Sequence, residues 1–266
     1  MMNLKSLDAR IEERLSGRIA VRIATKREPA IKRIELFLTD RCTLRCDYCF
    51  VAEKNVSERM TWSVAAAAVD MLIRESRGEK DLSIVFIGGE PLLEFTLMRR
   101  VVEYANSMAA KNGKKVGCSV TTNGTIMSRE IALFGQEHGF NYLLSLDGDR
   151  QFHDLHRKTA NGTGSWDLIM GANLDILKSI QPWIGARMTV SPDTVSKLSN
   201  GVQLLYERGV NQFIIGPNED VEWIPEHLAV LEIQTRALAE FCTVERSKGS
   251  PIRISFLEFG RRGITK

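Results

Sequence analysis

The chain has 266 residues, 44% hydrophobic and 26% charged, which is enough apolar material for a sizeable core and excludes disordered and fibrous classes. Thirty-six basic residues face thirty-three acidic ones, leaving +3, so nothing argues for nucleic acid or an anionic membrane as partner. Five cysteines, three of them between Cys42 and Cys49, make no disulfide framework and point to metal or redox chemistry in a reducing compartment, the cytoplasm.

Residues 1–33 read as a charged leader, with Leu4 to Leu15 at helical spacing and Ile19, Val21 and Ile23 in alternation. It has no apolar core of the kind a secretory signal needs. The longest apolar run, Val64 to Ile73, is cut by Asp70 and falls far short of the ~20 residues that span a bilayer. Ile34 to Thr39, short and apolar between Arg33 and Asp40, suits a buried first strand. From Met60 the spacing becomes helical, with Trp62, Ala65, Ala66, Val69, Leu72 and Ile73 on one face. The alternation then repeats. Leu82 to Ile87, Val116 to Thr122 and Tyr142 to Leu146 read as strands two to four, and Ala186 to Val190 and Phe213 to Gly216 as five and six, each followed by a helical pattern. The helix after strand four is expected to start at Ser165 as N-cap, and the last helix to run from about Pro225 to Val244.

Apolar strands alternating with amphipathic helices imply parallel pairing through crossover helices. Six units, two short of a closed eight-unit barrel, predict an α/β fold, a partial (β/α)6 TIM-like barrel over residues 34–247. Residues 248–266 read as a C-terminal connector. In such folds the binding face lies at the C-terminal ends of the strands. The polar and glycine-containing segments do follow strands: Cys42 to Cys49, Gly88-Gly89-Glu90-Pro91, Thr121-Thr122-Asn123-Gly124 and Asp147-Gly148-Asp149. All four would meet on one rim.

Cys42, Cys46 and Cys49 are spaced three and then two residues apart. A loop of that length can present three thiolates to three irons of a cubane cluster and leave the fourth iron without a protein ligand. A structural zinc site is the competing reading, but it normally takes four closed ligands. Neither Cys118 nor Cys242 belongs to a second paired motif, and no histidine lies near the loop. Cys118 and Cys242 read as small buried hydrophobes. His153 and His156, at i and i+3, read as polar loop or helix-start residues, because no third ligand is visible.

Cys-x3-Cys-x2-Cys after a first barrel strand, with Tyr48 before the third cysteine and Gly88-Gly89-Glu90-Pro91 after the second strand, resembles the radical S-adenosylmethionine enzymes. The finer details, among them Ser145-Leu146-Asp147-Gly148 and Gly164-Ser165-Trp166, look most like the peptide- and protein-modifying branch that includes anaerobic sulfatase-maturating enzymes. The resemblance implies a 4Fe–4S cluster on Cys42, Cys46 and Cys49, with S-adenosylmethionine bound through the open iron. One electron then cleaves that cofactor to methionine and a 5′-deoxyadenosyl radical, which takes hydrogen from a peptide or protein substrate. It implies further that Gly88, Gly89, Glu90 and Pro91 receive the methionyl end, with Glu90 toward its ammonium. Phe50 and Val51 would pack near the adenine, Tyr48 and Asp147 would be among the cofactor-binding residues, Asn123 would line the pocket, Ser145 would meet the ribose, and Arg157 would offer a planar donor fork to the cofactor carboxylate. A small reductant protein, flavodoxin or ferredoxin, is the implied electron source. Glu219 and Asp220, after strand six, are the acids best placed to face the pocket.

Relatives in that branch continue into a cysteine-rich extension, the SPASM domain, whereas this sequence has no cysteine after Cys242. The expectation is therefore a core without auxiliary clusters. The alternatives are an iron–sulfur binding or sensing protein, or a truncated core without turnover of its native substrate.

Overall fold

Seven parallel strands line up in chain order. They are β1 (Arg33–Phe37), β2 (Asp81–Ile87), β3 (Lys115–Thr122), β4 (Asn141–Ser145), β5 (Gly185–Val190), β6 (Gln212–Pro217) and β7 (Arg253–Ile254). The computed structural model describes residues 30–51, 58–181 and 183–258; the helix and strand expected in the leader lie outside them. The sheet is linear rather than closed, with β1 and β7 at its two edges. That is the open barrel the alternation predicts, with one strand more than the six expected. The two-residue β7, which pairs with Gln212 and Phe213, falls in the stretch read as a connector and is too short to leave an apolar signal.

Helices cover one face of the sheet. Along β1, Ile34 and Leu36 are buried while Arg33 and Glu35 are exposed, the two-residue alternation of a half-covered sheet. Behind the sheet run α1 (Trp62–Glu75), α2 (Phe95–Lys111) and α3 (Arg129–Glu137), then α4 (Arg150–His156), α5 (Trp166–Met170), α6 (Ala172–Ile180), α7 (Leu198–Glu207), α8 (Pro225–Ser247) and α9 (Ser255–Glu258). The core-facing side of α1 buries Ala65, Val69, Leu72 and Ile73, each large side chain contributing about 1.5–3 kcal/mol. The Thr61 hydroxyl caps its first turn by accepting the Val64 N–H, and Ser128 does the same for α3 at Ile131.

The segment after β4 departs from expectation. Ser165 makes no side-chain cap, and the helix read from it is broken at Gly171 into α5 and α6. Its hydroxyl donates instead to the Arg157 carbonyl at 2.8 Å and bonds His153 Nε2 at 2.8 Å. The cap was traded for a tie to α4, a helix that the sequence pattern did not reveal.

Candidate active site

The rim at the C-terminal ends of β1 to β4 is assembled from backbone outward. Gly88 has φ +144°, and a Cβ there would stand 2.6 Å from the Thr39 carbonyl oxygen; at Gly89 it would stand 2.4 Å from that of Arg41. Only glycine fits this approach. It lets Gly89 N–H reach Thr39 O at 2.7 Å and Glu90 N–H reach Arg41 O at 2.8 Å. The Gly-Gly turn is thus docked on the strand end that launches the cysteine loop. Pro91, buried, opens the single turn Pro91–Glu94 that follows.

Glu90 is fully buried and ties β2 to β3. Its carboxylate accepts the Leu92 N–H at 3.0 Å, the Thr122 hydroxyl at 2.8 Å and the Asn123 N–H at 2.8 Å. Burial pushes its pKa up to about 7 against the pull of those donors, since none of them carries charge. Asn123 continues the chain of contacts. Its amide donates to Thr43 Oγ1 at 2.9 Å and lies 3.5 Å from Cys42 Sγ, while its Oδ1 accepts from Thr125.

The cysteine loop is pinned on its other side by Arg45, whose N–H donates to Lys158 O at 2.6 Å. Cys42, Cys46 and Cys49 are all half-buried and unbridged, whereas Cys118 and Cys242 are buried in the core as expected. Cys42 Sγ accepts the Leu44 N–H at 3.3 Å in addition to its Asn123 contact. N–H donors directed at a cysteine sulfur are the surroundings that stabilise an iron-bound thiolate. Among the described residues no three His, Cys, Asp or Glu side chains converge as a single-ion site requires. A cubane is different, because each thiolate binds its own iron. The donor set fits the cluster.

Asp147 is the centre of the next contact group. Arg157 grips it with two bonds, Nε to Oδ2 at 2.7 Å and Nη2 to Oδ1 at 3.1 Å. The Tyr48 hydroxyl donates to Oδ2, and the Thr189 N–H to Oδ1 at 2.9 Å. Burial would raise the Asp147 carboxyl; the Arg157 guanidinium outweighs it and holds the carboxyl below its ordinary range. Burial also keeps the Tyr48 phenol protonated, and the Arg157 guanidinium lies 5.3 Å from the centre of its ring. His153 supports this group from behind. Since Ser165 gives its only hydrogen to Arg157 O, His153 must donate from Nε2, which leaves Nδ1 to face the Asp147 N–H at 3.4 Å. Burial, with the Arg157 charge, lowers its pKa to about 3, so the ring is neutral.

The structure therefore brings together Tyr48, Asn123, Asp147, Arg157, the Gly88–Pro91 turn and the three cysteines. Ser145 ends β4, half-buried, on the strand face opposite buried Leu144 and Leu146. Phe50 stands apart. It is 77% exposed with one edge contact to Phe37, while its neighbour Val51 is buried. Asp220 reaches a cavity beside Tyr48. Sequence reasoning missed His156, which bonds Asp47 and Asp193. The only available signal was a second histidine one turn after the first.

Comparison with known proteins agrees with this geometry. The chain is 31% identical over 181 residues to the uncharacterized protein MJ0907 of Methanocaldococcus jannaschii, covering 68% of this chain and 60% of that one. It is 30% identical over 144 residues to the cysteine-type anaerobic sulfatase-maturating enzyme of Clostridium novyi, covering 52% of this chain and 38% of that enzyme. The chain thus spans between about a third and three fifths of these relatives' length. Among solved structures, anSMEcpe with bound AdoMet superposes with a TM-score of 0.76 at 21% identity, over 86% of this chain and 65% of that one. Streptococcus suis SuiB bound to precursor peptide SuiA superposes at 0.65 and 13% identity, over 85% and 48%. At such identities the superpositions speak for the fold. Residues 36–231 match the Radical SAM superfamily, and with most of its length inside that match the chain belongs to the radical SAM superfamily, taking a 4Fe–4S cluster and S-adenosylmethionine as its cofactors.

Proposed function

We propose that this protein is a maturase-like oxidoreductase that acts on a peptide or protein. In this reading it cleaves S-adenosylmethionine reductively and removes a hydrogen atom from a side chain of that substrate. The observation that carries the reading is the docking of the Gly88–Glu90 turn on the strand end that launches the cysteine loop, with Asn123 spanning from that turn to Cys42. When bound, the cluster supplies the electron that splits the sulfonium and releases a 5′-deoxyadenosyl radical. The chain's own work is to place and to shield.

Cys42, Cys46 and Cys49 would hold the cluster through their thiolates. The Gly88-Gly89 backbone, with Glu90 and Pro91 fixed beneath it, gives the methionyl end a rigid floor. Arg157 is held by two bonds to Asp147, so its planar edge is set in advance for a carboxylate. Ser145 serves the ribose, and Tyr48, with Phe50 beyond it, lies toward the nucleoside. The maturase relatives support a peptide or protein as substrate. No helix among the described residues is long and apolar enough to cross a membrane, in keeping with a cytoplasmic enzyme served by a flavodoxin or ferredoxin.

The test is anaerobic reconstitution with iron and sulfide, followed by dithionite and S-adenosylmethionine. 5′-Deoxyadenosine and methionine are expected in equal amounts, and neither from a Cys46→Ala protein. An intact cluster that yields no 5′-deoxyadenosine would reject the reading.

A further inference from the structure

Between the cysteine loop and the loops that leave β5 and β6 lies a cavity of about 440 Å3, with Asp47, Tyr48, His156, Asp193, Asn218 and Asp220 in its lining. His156, at the end of α4, stands in one wall and bonds both the cysteine loop and the loop after β5. Its Nδ1 bonds both carboxylate oxygens of Asp47, at 3.0 and 2.9 Å, and its Nε2 bonds Asp193 Oδ1 at 3.1 Å. Carboxylates accept only, so both ring nitrogens donate. The Asp47 N–H returns a bond of 3.4 Å to the His156 carbonyl, and the Tyr48 ring lies 5.5 Å away. Asp47 sits between two of the cysteines, and Asp193 lies 146 positions further along the chain.

Nothing in local folding demands this bridge. His156 ends the seven-residue α4, and its neighbour one turn earlier, His153, spends both nitrogens on the Asp147 and Ser165 contacts inside the fold. His156 alone turns outward to join two loops. The two aspartates are more than half exposed, whereas the ring between them is buried, so each carboxylate gives up water chiefly to meet the imidazole.

We propose that His156 is a positioning residue that clamps Asp47, and with it the Cys46–Cys49 segment, to the loop after β5, fixing two walls of the cavity through which a substrate reaches the cluster. Only the last clause rests on the cluster reading. The clamp itself belongs to the metal-free chain.

It is tested by iodoacetamide alkylation of the metal-free protein, with each cysteine followed by peptide mass spectrometry. His156→Ala and Asp193→Ala are each expected to speed alkylation of Cys46 and Cys49 about fivefold, through easier local opening. The double variant is expected to be no faster than the faster single one, because both changes break one bridge. Buried Cys118 and Cys242 report global unfolding. Should they also react in His156→Ala, Asp193→Ala decides alone, its half-exposed side chain being no part of the core. Unchanged Cys46 and Cys49 rates in Asp193→Ala, or effects that multiply in the double variant, overturn the clamp. A wild-type protein that takes up no iron would remove the cluster reading and leave the alkylation result standing.

Discussion

Two buried carboxylates close the rim in opposite ways. Glu90, after β2, meets only neutral donors, from Leu92, Thr122 and Asn123, and burial lifts its pKa to about 7. Asp147, after β4, meets the Arg157 guanidinium, which overcomes burial and holds it ionised well into the acid range. Burial and strand-end position are alike; the partner's charge decides. The first side of the rim is thereby a scaffold of uncharged donors around one carboxyl, joining three backbone segments. The second is a charged device that fixes Tyr48 and a guanidinium beside the cysteine loop.

The largest expected effect comes from separating the second pair. Arg157→Met leaves Asp147 buried with no counter-charge, a loss of about 3–5 kcal/mol in urea unfolding. Asp147→Asn added to that variant should recover much of the loss, since no buried charge is then left. If the double variant is as unstable as the single one, packing and not charge holds this half together. On the neutral side, Gly89→Ala drives a methyl against the Asp40 and Arg41 carbonyls and should cost about 1–3 kcal/mol, as overpacking does. Gly117→Ala, with only the Leu82 carbonyl at 3.9 Å, should change stability little, and equal losses at the two glycines would remove the case for backbone docking.

The same contrast explains what was legible in the sequence. Cys42, Cys46 and Cys49 and the Gly88–Pro91 turn announce themselves because their residue types and spacing serve chemistry that few other patterns could. The strands of the open barrel were readable because Ile34 to Thr39 and Leu82 to Ile87 are short, apolar-rich runs whose large side chains need cover. Partnerships were not readable. That Asp147 would join Tyr48, Arg157 and Thr189 depends on β4 and β5 pairing at Ser145 and Arg187, and His156 finds Asp193 only once α4 lies against the loop after β5. Ser165 looked like a cap because its local pattern is one, yet two bonds from distant groups outbid the local bond. The β7 strand is too short to carry any pattern.

A subtler effect is a pH slope. Glu90, with a folded pKa of about 7, takes up its proton in the fold before the unfolded chain does. Its contribution is therefore present in acid and lost as pH rises from about 4.5 to 7. His153, with a folded pKa of about 3, runs the other way. The unfolded chain binds the proton first, so stability grows from about pH 3 to 6.5. The two oppose each other over most of the mildly acidic range, and the wild type should be nearly flat there. Glu90→Gln removes one of them. It will be less stable than wild type in acid, because one amide N–H must face the Asn123 N–H, and should close that gap by up to ~1.4 kcal/mol per pH unit between pH 4.5 and 7. Urea midpoints at pH 5 and 6.5 measure this, and a gap that does not narrow would mean that Glu90 titrates as an ordinary carboxylate.

The smallest effect uses Arg150, at the opposite end of the short helix that Arg157 caps. Arg150 pairs with Asp154 at 3.7 Å and with Asp167, and its side chain is 65% exposed; Arg157 pairs with Asp147 where both are nearly inaccessible. Water already solvates the outer charges, so ordering two side chains there gains little. Arg150→Ala should cost no more than about 1 kcal/mol, and the cost should fade in 1 M salt. The Arg157→Met loss should persist in the same salt, because ions cannot enter to screen a buried carboxylate. If added salt relieves both variants equally, Asp147 is reached by solvent and the charged side of the rim is no more than a surface ion pair.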